Sequence, residues 1–306
     1  MFRIYNAAAA LLVALLGLSA CTENAANAGN FPADVSAAES ASASYSRHGS
    51  PVKVGEGLAS AYVLYDRQTD VPIEIGVTLD EKAMDGLPGP NPHLQSMPAS
   101  GHEHVDNHVY MLSMPNGGAP PFEFVELDWN PGGHEPPGIY DEPHFDFHFY
   151  LVSQAARAAI VPSDPDFQRK AEMLPPEIQR APFYAVAAPP GAPAPAVPLM
   201  GVHWIDVRSP ELQKMFGKPE AWQPFTTTFI YGSWEGRFHF LEPMITRSYI
   251  MSKKGEPQAA ARDEIIAIPT PEAVDEPGYY PAAYRIAWDA EAQVYRIALT
   301  KLARRN

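Results

Sequence analysis

Between Pro143 and Tyr150 the chain reads PHFDFHFY, with polar and aromatic residues alternating from His144 onward. This is the period of a β-strand, whose successive side chains point to opposite faces. One face carries His144, Asp146, His148 and Tyr150; the other carries Phe145, Phe147 and Phe149. The phenylalanine face belongs in a core. Further strand-like runs are ASAYVLYD, VPIEIGVTLD, NHVYMLSMP, FEFVELDWNP and PLMGVHWIDV, separated by turn-forming segments such as RQTD and NGGAPP. FTTTFIYG and RFHFLEPMI predict a hairpin about SWEG, and YRIAWDAEAQVYRIAL predicts another about DAEA. Helical patterning is confined to DPDFQRKAEMLPPEIQR, broken at Pro175-Pro176, and to SPELQKMFG, where Ser209 suits the cap and Pro210 the first position. About ten strands with few helices predict an all-β fold, either a sandwich or a barrel of the cupin-like kind, with short helical insertions. The 33 prolines fit long structured loops around such a core.

The N-terminus departs from this pattern. Its apolar run from Ala7 to Leu18 follows the basic Arg3, is too short to cross a bilayer comfortably and has the layout of a secretory signal. Leu18-Ser19-Ala20-Cys21 resembles a bacterial lipobox, which implies cleavage before Cys21 and lipid on that residue. The alternative is an ordinary signal peptide with a chance cysteine. Residues 1–20 are thus expected to be a lipoprotein signal peptide, and 21–51, rich in Ala, Ser and Asn, a flexible tether. Residues 52–306 are expected to form a single β-rich domain with Pro-rich loops. The expected location is the bacterial cell envelope, periplasmic or extracellular, with the lipid on Cys21 as the only hold on a membrane.

Composition removes several chemistries. Cys21 is the sole cysteine, so no disulfide framework, cysteine–zinc site or cysteine nucleophile is available. The chain carries 36 Asp+Glu against 22 Lys+Arg and has no basic stripe, which argues against nucleic acid as a partner. GSWEG lacks the serine of a nucleophile elbow, and GEGLAS lacks the last glycine of a dinucleotide fingerprint. Glu135 and Asp141 could form a glycosidase pair, but acidic pairs are common in an acidic chain.

The histidine strand is the main candidate for chemistry. Residues two apart on a strand are roughly 6.5–7 Å apart and can share an ion; His144 and His148, about 13 Å apart, cannot without a bulge. A divalent transition metal (zinc, iron or manganese) would therefore take Asp146 with one histidine and further ligands from elsewhere. Asp146, His148 and His203 form the expected core set; His134, His144 and His239 are the reserve. HEHVDNH (residues 102–108) reads first as a solvated loop and second as an accessory metal patch. The competing reading makes Asp146 a structural hydrogen-bond hub between buried neutral histidines.

IGVTLDEKAMDGLP, LDWNPGGHEPPGIYDEPHFDFHFYLVS, MGVHWIDVRSPEL and FIYGSWEGRFHFLEPMITRSYI together resemble a family of uncharacterised bacterial envelope proteins. This is a domain of unknown function typified by a Thermus protein under extracytoplasmic sigma-factor control. The resemblance spans about Gly57 to Met251. It implies a β-rich domain that forms homo-oligomers, and it implies no known reaction. The lipobox and the tail beyond Met251 depart from the family pattern. Three functions stay open: an exported metal-binding protein, a non-enzymatic oligomeric envelope protein that binds a small-molecule ligand or a partner, and a metal-free hydrolase using histidine and carboxylate as acid and base.

Overall fold

The computed structural model describes residues 43–90, 107–189 and 191–306. Cys21, the leader, most of the tether and all but the end of HEHVDNH lie outside the described residues. The chain first lays down β1 (Ser44–His48), β2 (Val52–Val54), β3 (Gly57–Asp66) and β4 (Pro72–Asp80). It then builds a second sheet from β5 (His108–Ser113), β6 (Phe124–Asn130), β7 (His144–Tyr150), β8 (Tyr184–Val186), β9 (Ala196–Val197), β10 (Gly201–Asp206), β11 (Thr227–Trp234) and β12 (Arg237–Thr246). Finally it returns with β13 (Asp263–Ala267), β14 (Gly278–Tyr280), β15 (Ala283–Asp289), β16 (Val294–Thr300) and β17 (Ala303–Arg305). The first large sheet runs β1-β3-β4-β16-β15-β13, with β2 beside β3, and the second runs β5-β6-β7-β12-β11-β10-β8, with β9 beside β10.

Among the described residues neither large sheet closes on itself, so the barrel alternative is corrected: the fold is a sandwich of two antiparallel sheets with a few short helices. Only pairing of the first and last strands would close a barrel. One hydrophobic cluster joins the facing surfaces. It holds Val63, Ile75, Val77 and Ile297 from the first sheet and Leu127, Phe145, Phe147 and Phe149 from the second. The three phenylalanines of β7 are fully buried there, each contributing about 1.5–3 kcal/mol through removal from water.

The tether boundary also shifts. Ser44–His48, within the segment expected to be flexible, pairs along its whole length with β3. An edge strand gains backbone hydrogen bonds without needing a row of large apolar side chains, so SYSRH carries little hydrophobic signal. The expected helix over SPELQKMFG is reduced to a short 3-10 turn, Pro210–Leu212, and Ser209 makes no capping hydrogen bond through its side chain.

What positions the site is the other surface of the second sheet. Alternation leaves the face opposite the phenylalanines open to a barrel interior, a cleft or solvent; solvent is ruled out, since every residue of β6 and β7 is buried. The outer face is covered by Tyr140, Val197, Met200, Leu212 and Phe225, which pack on Phe124, Tyr150, Ile230, Phe240 and Met244 as a second, smaller cluster. The polar residues of the strands are therefore enclosed between sheet and cover.

Candidate metal centre

Register brings the polar rows together. β6 repeats the pattern of β7: Phe124, Glu126, Asp128 and Asn130 share one face, and Val125, Leu127 and Trp129 the other. Across the β6–β7 ladder Glu126 is opposite His148, Asp128 opposite Asp146 and Asn130 opposite His144. On the other side of β7 lies β12, which contributes Glu242. Four carboxylates, Glu126, Asp128, Asp146 and Glu242, are buried on this face. The permanent cation beside them is Arg157, which donates to Glu126 from the helix Gln154–Ala158. Burying ionised carboxylates is costly unless protons, paired charges or metal ions compensate.

Two groups of ligand atoms emerge. The first is His134, His144 and Asp146. His144 Nε2 lies 3.2 Å from Asp146 Oδ1, and His134 Nε2 lies 3.5 Å from Asp146 Oδ2. The opposite ring nitrogens are both committed: His134 Nδ1 donates to the Glu135 carbonyl at 2.7 Å, and His144 Nδ1 to the Glu142 carbonyl at 2.6 Å. A carbonyl oxygen can only accept, so each Nδ1 carries a proton, and each Nε2 is the nitrogen turned toward the carboxylate. Lone pairs facing a carboxylate require a cation between them, either a proton on the ring or a metal ion. Asn130 Nδ2 donates to Asp146 Oδ2 at 2.7 Å and fixes the carboxylate in turn. These outer partners are of the kind that orient metal ligands.

The distances bear on the choice of cation. A charge-assisted N–H···O bond is about 2.7–2.9 Å long. Ligands held about 2.0–2.1 Å from one tetrahedral ion are about 3.3 Å apart. The observed 3.2 and 3.5 Å are longer than such a hydrogen bond and run to different oxygens, Oδ1 and Oδ2, so the two imidazoles bracket the carboxylate with room for an ion beside it.

The second group is His148, His203 and Glu242. His148 Nε2 lies 3.5 Å and His203 Nε2 4.0 Å from Glu242 Oε2, while His148 Nδ1 faces Asp128 Oδ2 at 3.6 Å. A third combination, Glu126, Asp128 and His148, shares His148 with the second.

Charge states follow from burial and neighbours. Burial pushes Asp128 well above the usual carboxylate range, reinforced by Glu126 and Asp146, and Glu242 is raised in the same way by burial, Asp146 and Asp128. Burial also pushes Asp146 upward, but the adjacent His144 and His134 outweigh it and hold this carboxyl well below its usual range. His134 is raised, because Asp146 outweighs the effect of burial. His148 is pushed down to about 3 by burial. His239 stands apart from both groups. Burial lowers it to about 4, and its Nε2 donates to the Met200 carbonyl at 2.5 Å.

The expected core set is thus divided. Asp146 groups with His134 and His144, whereas His148 and His203 converge on Glu242. Sequence reasoning missed Glu126, Asp128, Asn130 and Arg157. The first three had a readable signal, since FEFVELDWN alternates like the histidine strand; Arg157 had none, because its contact depends on where the following helix docks.

Residues 68–129 match the family described as TTHB210-like, hypothetical protein TTHB210. The match agrees with the resemblance to an uncharacterised family typified by a Thermus protein. It takes in β4, β5 and nearly all of β6, including Glu126 and Asp128, and ends before the first histidine ligand. No curated protein and no solved structure matches the chain. Among the described residues no helix is long and apolar enough to cross a membrane.

Proposed function

We propose that this protein is an exported, lipid-anchored metal-binding protein whose centre is His134, His144 and Asp146. One observation carries the reading: both imidazoles have Nδ1 fixed on a backbone carbonyl and Nε2 turned to the same buried carboxylate. Two histidines and one carboxylate suit zinc, iron or manganese. Three protein ligands leave a further position for water, as a Lewis-acid centre requires. His134, whose side chain is 11 % exposed, is the solvent-side ligand. Export and anchoring are supported by the leader and by Cys21 at the end of Leu18-Ser19-Ala20-Cys21.

The test is elemental analysis of the chain purified without an affinity tag, beside a His144→Ala/Asp146→Ala variant. The expected result is stoichiometric zinc, iron or manganese that is lost in a variant with an unchanged circular-dichroism spectrum. Protein that stays metal-free after loading with these ions would leave an imidazolium–carboxylate pair in place of a metal centre and would overturn the proposal. For the anchor, mass analysis of membrane-extracted protein is expected to find acyl chains on Cys21, and a Cys21→Ser chain is expected to be released from the membrane fraction.

A further inference from the structure

His148 belongs to no part of the centre just proposed, and its surroundings are unusual. Its side chain is fully buried, and neither ring nitrogen has a hydrogen-bond partner. Glu242 Oε2, 3.5 Å away, is likewise buried without one. A neutral imidazole has one donor and one acceptor nitrogen, and leaving both unmatched in a buried site is costly. Each nitrogen instead faces a carboxylate: Nδ1 faces Asp128 and Nε2 faces Glu242. His203 reaches the same Glu242 oxygen from β10.

We infer that His148 Nε2, His203 Nε2 and Glu242 hold a divalent transition-metal ion of their own, distinct from the one at His134, His144 and Asp146. Asp128 lies on the far nitrogen of His148, where an N–H directed at a carboxylate would fix the ring with Nε2 facing the ion. The alternative set on that far side, Glu126 with Asp128, is a poorer cation site because the Arg157 guanidinium already sits on Glu126. A second positive charge there would be repelled. The ligand types, two imidazole nitrogens and a carboxylate oxygen, again select zinc, iron or manganese over calcium or magnesium. Each group has one partly exposed histidine, His134 or His203, over two enclosed ligands.

This inference rests on the reading of the outer sheet face as a cation binder, and the test separates the two sites. The full chain is loaded with zinc ion alone, and bound zinc is counted in the wild type and in His134→Ala and His203→Ala. Both substitutions remove the least buried ligand of their group. Cobalt(II) spectra report coordination geometry in parallel. The expected result is two zinc ions in the wild type and one in each variant, with a cobalt absorption band lost separately from each. A single ion that is lost in His134→Ala and kept in His203→Ala would overturn this inference while sparing the first centre. A single ion lost only in His203→Ala would overturn the first centre and support this one. Loss of every ion from either variant would overturn the claim of separate sites. Glu242→Gln, which preserves shape and removes the charge, replaces His203→Ala if that chain misfolds, with the same outcomes.

Discussion

His239 shows what a buried histidine looks like when it is structural. It donates one hydrogen bond to the Met200 carbonyl, packs on Phe240 and Tyr150, and among the described residues has no carboxylate within ion-pair distance. Its pKa is about 4 in the folded protein against 6.5 for the free side chain. The unfolded chain therefore takes up this proton first as the pH falls. Its contribution is fully present above about pH 6.5, is lost progressively toward pH 4, and levels off below. The two-and-a-half-unit difference corresponds to about 3 kcal/mol. Urea unfolding at pH 7, 5.5 and 4 checks this. His239→Gln, which keeps an N–H for the Met200 carbonyl, is expected to flatten the curve over that window relative to the wild type. Equal slopes in both proteins would show that other groups carry the acid sensitivity. At the same scale, Phe147→Ala removes a fully buried ring from between the sheets, and a loss of about 3–5 kcal/mol in unfolding free energy is expected.

At the scale of elements, the turn that enters the loop before β7 decides whether His134 reaches Asp146. Gly133 has φ +72°, and a Cβ there would lie 2.1 Å from the Tyr140 carbonyl oxygen. Its N–H donates to the Asn130 carbonyl, and the next N–H, of His134, donates to the Tyr140 carbonyl, so the loop folds back over the strand ends. Gly133→Ala is expected to displace His134 and weaken zinc binding at the first centre by about 5- to 30-fold, given the 1–2 kcal/mol cost of a left-handed alanine. The sandwich itself should melt at nearly the same temperature. Unchanged zinc affinity by calorimetric titration would show that His134 does not depend on this turn. Elements also mark what was legible in the sequence. Pattern and turn signals located β3, β4, β5, β6, β7, β10, β11, β12, β15 and β16, because period two is a local property of the strand. The grouping of ligands was not legible, since it depends on β7 lying between β6 and β12 and on a cover drawn from distant loops. Nothing in HFDFHFY states that Asp146 turns to His144 and a loop histidine, while His148 turns to β12. For the same reason the strand alone left its polar face open to interior, cleft or solvent, and only the cover shows that it is enclosed.

At the scale of the whole molecule, a net charge of −14 is partly hidden, because four of the carboxylates lie inside the second sheet's cover. A ligand that binds only the folded state stabilises it by RT ln(1 + [L]/Kd), about 2.7 kcal/mol at a hundredfold excess over Kd. Chelation is therefore expected to lower the melting temperature by several degrees. The melting temperature should recover when zinc is returned, and the His144→Ala/Asp146→Ala chain should show a smaller response. An identical melting curve with and without chelator would oppose any metal centre in this protein. The two groups also differ in how the chain must be assembled to make them. The first takes all its ligands from residues 134 to 146, a short loop and the strand it leads into. The second joins His148 to His203 and Glu242, and so must wait for the closure of a much longer segment. Under the two-site proposal, folding from an extended state would load the two ions in a fixed order. Capture of the first would record that one strand and its loop have met, and capture of the second that β10 and β12 have docked beside them.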